Sequence, residues 1–214
     1  MNVQGFLDHL LKSAAGGPDG LLNADFGRGA VAGGALGLLL GKHKATRKLA
    51  TYGGLAAIGV MAYRAYSDYQ RQQGGFAAGA APQTVDRLSP PQAEAHVQAI
   101  LKALVAAAKA DGHIDARERQ AIEGEFSRIG SDGELQQWLH AELEKPLDPA
   151  DVARAAGTPE IAAEMYLASL MVADEQNFME RAYLDELARQ LELDPALKAQ
   201  LERQLAQPQP PPLP

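Results

Sequence analysis

Two short acidic turns hold the side chains of this chain that could do chemistry. In the first acidic turn, residues 111–118, an apolar helical run ends at an Asp-Gly pair and two acidic residues open the next helix. In the second acidic turn, residues 174–180, an aspartate ends one run and a glutamate opens the next. Carboxylate oxygens are the ligands that hard cations such as Ca²⁺ and Mg²⁺ prefer. The pattern predicts a divalent-cation site with five candidate metal ligands: Asp111, Asp115, Glu118, Asp174 and Glu180.

Helix capping is a second interpretation of the first acidic turn. Gly112 is a typical left-handed helix end, and Asp115 with Glu118 three residues later forms a capping box. Capping does not explain Asp111, because an aspartate at a helix C-terminus opposes the helix dipole. Asp174 repeats this unfavourable choice in the second acidic turn. The spacing is not that of an EF-hand, and the sequence leaves both interpretations open.

The helices that would position these turns show clear starts and apolar stripes. Over residues 92–206, apolar side chains recur at spacings of three and four, and no segment alternates as a β-strand does. The run from Ile161 to Ala173 is apolar on most sides, which predicts a central buried helix. We expect an all-α domain of six or seven helices. Three helix starts pair a capping side chain with a proline: Asp148-Pro149, Thr158-Pro159 and Asp194-Pro195.

The N-terminal part of the chain predicts contact with a membrane. Residues 1–28 contain a short amphipathic segment, and residues 29–71 form a Gly-rich apolar helical region with a basic loop at 42–48. A transmembrane helix needs about 20 residues; the run 29–41 is shorter than this, and the run 49–66 only approaches it. A soluble Gly-rich hairpin packed against the acidic domain is therefore the alternative. Four glycines spaced by four line one helix face, where helices approach closely in lipid and form a homo-oligomer: Gly29, Gly33, Gly37 and Gly41.

Charge and composition separate the two parts of the chain and exclude several classes of partner and site. Residues 1–73 carry eight Lys or Arg against four Asp or Glu, whereas residues 74–214 carry twelve against twenty-three. Nucleic acid is therefore an unfavourable partner. The chain has no cysteine, which excludes disulfides and thiolate zinc sites. Residues 72–91 have the composition of a flexible linker, and residues 207–214 that of a Pro-rich disordered tail.

The sequence shows no residue pattern of a known catalytic machinery. It contains no Gly-rich phosphate loop, nucleophile elbow or zinc-ligand helix. His9, His43, His96 and His140 are scattered over predicted helix surfaces and the basic loop. We therefore expect a non-enzymatic protein. The alternatives are a metal-dependent enzyme that uses the acidic turns and a wholly soluble structural protein.

Several separated phrases of the sequence resemble a known family. The phrase at 104–119, Leu-Val-Ala-Ala-Ala-Lys-Ala-Asp-Gly-His-Ile-Asp-Ala-Arg-Glu-Arg, is similar to the YebE family of bacterial inner-membrane proteins. So are the phrases at 146–149 and 178–184 and the Gly-rich region at 29–66. The helix ends at the two acidic turns resemble the TerB-like (tellurite resistance) helical fold. The second turn departs from that pattern, because it has Asp-Glu where the fold usually has Asp-Gly.

The resemblance implies a location and a fold. It implies a membrane-anchored protein of the bacterial inner membrane with a TerB-like helical bundle. We expect this protein to act as an interaction or stress-related sensory module for an unknown protein partner. The resemblance also implies that the five acidic residues of the turns are metal-ligand positions. TerB-like domains are regarded as cytoplasmic. The positive-inside rule, however, places the loop at 42–48 in the cytoplasm and sends the C-terminal domain outward if 49–66 spans alone, so the orientation stays open.

Overall fold

Eight helices make up the part of the chain that the computed structural model describes: residues 55–72, 90–110, 114, 116–128, 133–173 and 177–206. The helices are α1 (Leu55–Gln72), α2 (Pro90–Ala108), α3 (Ala116–Arg128), α4 (Gly133–Glu144), α5 (Pro149–Ala153), α6 (Pro159–Val172), α7 (Phe178–Gln190) and α8 (Pro195–Ala206). The other described residues form turns and short connections. The predicted all-α class is confirmed for these ranges.

Several sequence predictions fall on residues outside the described ranges. They are the amphipathic segment 1–28, the four-glycine stripe, the basic loop 42–48, most of the linker 72–91 and the tail 207–214. These stay predictions.

Helix α6 is the centre of the bundle. Every residue from Ala162 to Val172 is buried, and α6 contacts α1, α2, α7 and α8. A helix that is apolar on nearly all sides has no face for water and is stable only when other elements surround it. The prediction of a central buried helix over Ile161–Ala173 is confirmed.

The three cap–proline pairs start helices as predicted. A proline at the first helical position sacrifices no hydrogen bond, because the N–H it lacks would have had no partner within the helix. Each side-chain cap contributes about 1 kcal/mol. In every case a side-chain oxygen accepts a bond from a backbone N–H: Asp148 from Ala150 at 2.9 Å, Thr158 from Ile161 at 3.3 Å and Asp194 from Ala196 at 2.8 Å.

Helix α1 packs into the same hydrophobic core as the helices of the C-terminal acidic domain, residues 92–206. It contacts α6 and α8. Its buried residues Ile58, Met61, Ala62 and Ala65 have the spacing i, i+3, i+4, i+7 of a one-sided helix. A Cβ atom added at Gly59 would lie 3.7 Å from Oε1 of Glu164, so the small residue lets α1 approach α6 closely.

From the sequence, the run 49–66 was expected to approach the length of a membrane-spanning helix. From Leu55 onward it packs against α6 and α8 instead. None of the described helices combines the length and the apolar character that crossing a membrane requires. From Leu55 onward the run is a one-sided helix, and its apolar side faces protein. Small residues such as Gly59 and Ala62 suit a close contact in lipid and in a protein core equally well. The sequence alone therefore did not distinguish the two environments.

Candidate functional site

The packing of α2 on α6 determines where the two acidic turns begin. Nε2 of His96 contacts Oε2 of Glu164, and further along the pair Ser169 Oγ donates a 3.3 Å hydrogen bond to the carbonyl of Ala103. Residue numbers rise together from the first contact to the second, so the two helices run parallel. Both helices therefore end on the same side of the bundle, and the first and second acidic turns begin there.

Only part of the predicted cation site lies within the described residues. Asp111, Asp115 and Asp174 lie outside them, and of Glu118 only the backbone is described, in the first turn of α3. Glu180 is described in full. Among the residues described, no group of three or more His, Asp or Glu side chains is placed to hold a metal ion. The five-ligand site stays a prediction, as does the helix contact through Gly29, Gly33, Gly37 and Gly41, which also lie outside the description.

Glu180 is buried although it is a carboxylate at the start of a helix. Its exposed fraction is 2%, and it shares the core-facing side of α7 with Tyr183 and Leu187. The capping residue of α7 is Asn177, whose side chain accepts a 2.9 Å hydrogen bond from the N–H of Met179. Acidic side chains are almost never buried without a favourable partner, and Glu180 has an interaction partner in the structure. Of the five predicted ligands, Glu180 is the one whose side chain the structure describes.

Lys109 connects the end of α2 to the end of α4. Its ammonium group donates to the backbone carbonyl of Glu142 at 2.9 Å and to that of Lys145. Burial lowers the pKa of Lys109, and the nearby Glu142 carboxylate opposes this shift only in part. A cation here satisfies carbonyls that the end of α4 leaves unpaired and interacts favourably with its dipole. Lys109, two residues before Asp111, therefore has a structural role: it joins the end of α2 to the end of α4.

A cleft beside this contact is lined by charged side chains of both signs, and these charges balance one another. The charged lining residues are Lys102, Lys109, Glu142, Lys145, Asp148 and Asp151. Lys102 Nζ lies 2.7 Å from Oδ2 of Asp151, Arg154 Nη2 lies 2.6 Å from Oδ1 of Asp151, and Lys145 pairs with Glu142. The hydrogen bond from Lys102, followed by that from Arg154, lowers the pKa of Asp151. Every lysine that lines the cleft contacts a carboxylate or a carbonyl. The cleft therefore has no unpaired lysine with which to hold an anion.

Comparison with known proteins places this arrangement in a family. A family model matches residues 25–205, a range that includes α1 to α7 and nearly all of α8. The chain belongs to the DUF533 family. That family is described as a protein of unknown function. This DUF533 member is also similar to a Yersinia enterocolitica protein described as "Uncharacterized protein in ampR 5'region", with 35% identity over 109 residues, which are 51% of this chain and 78% of the relative. No solved structure matches the chain.

In this DUF533 member the sequence interpretation missed one buried polar pair. His96 was expected on a helix surface, and that expectation is wrong: the side chain is 3% exposed and pairs with Glu164. Nδ1 of His96 has no hydrogen-bond partner among the described residues. A signal was present in the sequence, because His96 lies four and seven residues before Ile100 and Ala103, on the same apolar stripe.

Proposed function

We propose that this DUF533 protein is a non-enzymatic interaction and sensory module with a TerB-like helical bundle, of the YebE type in the bacterial inner membrane. We further propose that its two acidic turns together bind one divalent cation such as Ca²⁺ or Mg²⁺. The observation that carries the proposal is the parallel packing of α2 and α6, because it brings the beginnings of both turns to one side of the bundle.

A shared cation would account for two otherwise unfavourable aspartates. Asp111 and Asp174 follow the C-terminal ends of α2 and α6, where the helix dipoles place partial negative charge. Two carboxylates near parallel helix ends also repel each other. A divalent cation bound between them turns both unfavourable interactions into favourable ones. Helix capping explains Asp115 and Glu118 without a cation, but it leaves the two aspartates unexplained.

The membrane contact of this proposal belongs to residues before Leu55. The uncharged run 29–41 and the basic loop 42–48 combine apolar surface with positive charge, which suits a bilayer of anionic lipids. Helix α1 would then connect the membrane-bound segment to the helical domain, because its own apolar face is occupied by α6 and α8. In this proposal the acidic helical domain, away from the lipid, recognises the protein partner.

Calorimetric titration of the full chain with Ca²⁺ and with Mg²⁺ tests the cation site. We expect saturable binding to the wild type that is lost in the double variant Asp111→Asn/Asp174→Asn. The matched control is Asp68→Asn/Asp185→Asn, which removes the same charge from side chains on α1 and α7, outside the acidic turns. The control should bind like the wild type.

Thermal unfolding gives a second readout of the same experiment. A ligand that binds only the folded state at a concentration of 100 Kd stabilises it by about 2.7 kcal/mol, so the wild type and the control should melt higher with cation. Without cation, the turn double variant should melt higher than the wild type, because the repulsion at the helix ends is gone. No binding heat and no cation-dependent melting shift in the wild type would refute the cation site and leave helix capping as the role of the turns.

A further inference from the structure

Helix α1 covers part of a buried polar pair. His96 of α2 is 3% exposed, and its Nε2 contacts Oε2 of Glu164 on α6, which is 9% exposed. The other carboxylate oxygen of Glu164 faces α1, because a Cβ atom added at Gly59 would lie 3.7 Å from Oε1. The carboxylate therefore lies between α2 and α1, and α1 helps to keep it from water.

The two members of this pair satisfy each other only in part. Nδ1 of His96 is buried and has no hydrogen-bond partner among the described residues. With a neutral imidazole that donates from Nε2, the carboxylate of Glu164 is a buried charge without a countercharge in the pair. With a proton on Nδ1, that N–H is a buried donor without an acceptor. Each arrangement is unfavourable away from water, so covering this carboxylate with α1 costs free energy that covering an apolar side chain would not.

The apolar contacts that hold α1 are modest. Two of the four side chains of α1 that are described as buried are alanines: Ile58, Met61, Ala62 and Ala65. Helix α6, in contrast, is buried at every residue from Ala162 to Val172. Elements with few buried apolar side chains open at a lower free energy than the whole fold. Residues 73–89 lie between α1 and α2 in the chain, so α1 can leave the bundle without unwinding α2.

We infer that α1 is a releasable strap: it detaches from α6 and α8 as a unit while α2 to α8 stay folded. The His96–Glu164 pair sets how easily it detaches, because release of α1 returns the carboxylate to water. Release exposes the surfaces of α6 and α8 that α1 covers and adds the length of α1, about 27 Å, to the connection with the residues before Leu55. The inference goes beyond the proposed function and depends on neither the cation nor the membrane.

The reactivity of two buried thiols in the full chain tests the strap. Because the protein has no cysteine, Ala65→Cys on α1 and Ala103→Cys on α2 each carry a single thiol, at positions that are both 0% exposed. Reaction with a maleimide is measured without Ca²⁺ or Mg²⁺, and each rate is divided by that of the same variant unfolded in urea. We expect Ala65→Cys to react about tenfold faster than Ala103→Cys or more, since α1 opens before the rest of the bundle. Equal normalised rates would overturn the inference.

Replacing the polar pair tests its part in the release. In the background His96→Leu/Glu164→Met, α1 covers apolar side chains, and we expect the rate of Ala65→Cys to fall several-fold relative to that of Ala103→Cys. The matched control is His140→Leu/Glu123→Met, which makes the same substitutions in the exposed pair between α3 and α4 and should leave the ratio unchanged. An unchanged ratio in the His96→Leu/Glu164→Met background would refute the role of the pair.

A third variant loosens α1 and leaves both members of the pair in place. The side chain introduced by Gly59→Leu would meet the carboxylate of Glu164. We expect the rate of Ala65→Cys to rise several-fold while that of Ala103→Cys stays the same. An equal rise at both thiols would show that α1 and α2 open together, which overturns the strap. An Ala65→Cys rate that falls as the protein concentration rises would show that α1 is covered by a second copy, and this result overturns the strap as well.

Discussion

The two acidic turns have similar sequences but differ in how they join the bundle. At the first turn, the ammonium group of Lys109 donates hydrogen bonds to backbone carbonyls at the end of α4, and Ile114 packs against the core. At the second, Phe178 and Met179, which take the place of that apolar residue in the sequence pattern, lie in solvent. The first turn therefore contributes to the stability of the fold, whereas the second keeps apolar surface available for contact. Similar helix punctuation can thus either bury the apolar residue of a turn or leave it exposed.

The largest expected effect comes from truncating the apolar residue of each turn. Ile114→Ala should lower the free energy of unfolding by roughly 1–2 kcal/mol, because a partly buried side chain leaves part of a cavity. Phe178→Ala should change it by less than about 0.5 kcal/mol. Urea unfolding of the two variants and the wild type measures both changes. Equal losses would show that the two turns are packed alike.

A smaller effect is expected from the helices that follow the turns. Helix α3 contains Gly124, where an added Cβ atom meets no described atom within 4 Å, whereas α7 has no glycine. Gly124→Ala should raise the free energy of unfolding by about 0.5–1 kcal/mol through helix propensity. The reciprocal control Ala182→Gly, at an exposed position of α7, should lower it by a similar amount. A loss of stability in Gly124→Ala would contradict an open surface at that position.

The smallest effect is expected from a pH-dependent contact between α3, which follows the first turn, and α4. Nδ1 of His140 lies 2.7 Å from Oε1 of Glu123, and Nε2 lies 3.6 Å from Oε2 of Glu144. The hydrogen bond with Glu123, followed by the charge of Glu144, raises the pKa of His140 above its ordinary value of 6.5, although Arg119 opposes the shift. The stabilisation is therefore fully present below the ordinary pKa and is lost as the pH rises through the raised one.

Melting temperatures of the wild type and of His140→Gln test this contact. The wild type should melt higher than the variant at about pH 5.5, and the gap should close by about pH 8.5. Glu123→Gln should reduce the gap at the lower pH. A gap that does not depend on pH would show that the imidazole contributes by packing instead of by charge.

The parts of the fold that sequence predicted are those set by local rules. The cap–proline starts at Asp148, Thr158 and Asp194 depend on neighbouring residues only, and the central helix α6 follows from apolar side chains on most of its faces. The sequence did not predict which elements pack against the apolar face of α1, because no local feature shows whether Ala62 faces lipid or protein. The difference between Ile114 and Phe178 depends likewise on which helices lie nearby. The cation site was predicted by residue type and spacing, and most of its ligands lie outside the described residues.

The packing of α1 against α6 and α8 has a consequence for the order in which the protein is made. The ribosome synthesises α1 first, but α6 begins at Pro159 and α8 only at Pro195. At about 5–20 residues per second, completion of α8 follows that of α1 by on the order of ten seconds. Throughout that interval the apolar face with Ile58 and Met61 lacks its native cover. A nascent chain of this kind is exposed to chaperones and to misassembly until α8 has emerged, and closing the bundle requires the slow joining of distant chain segments.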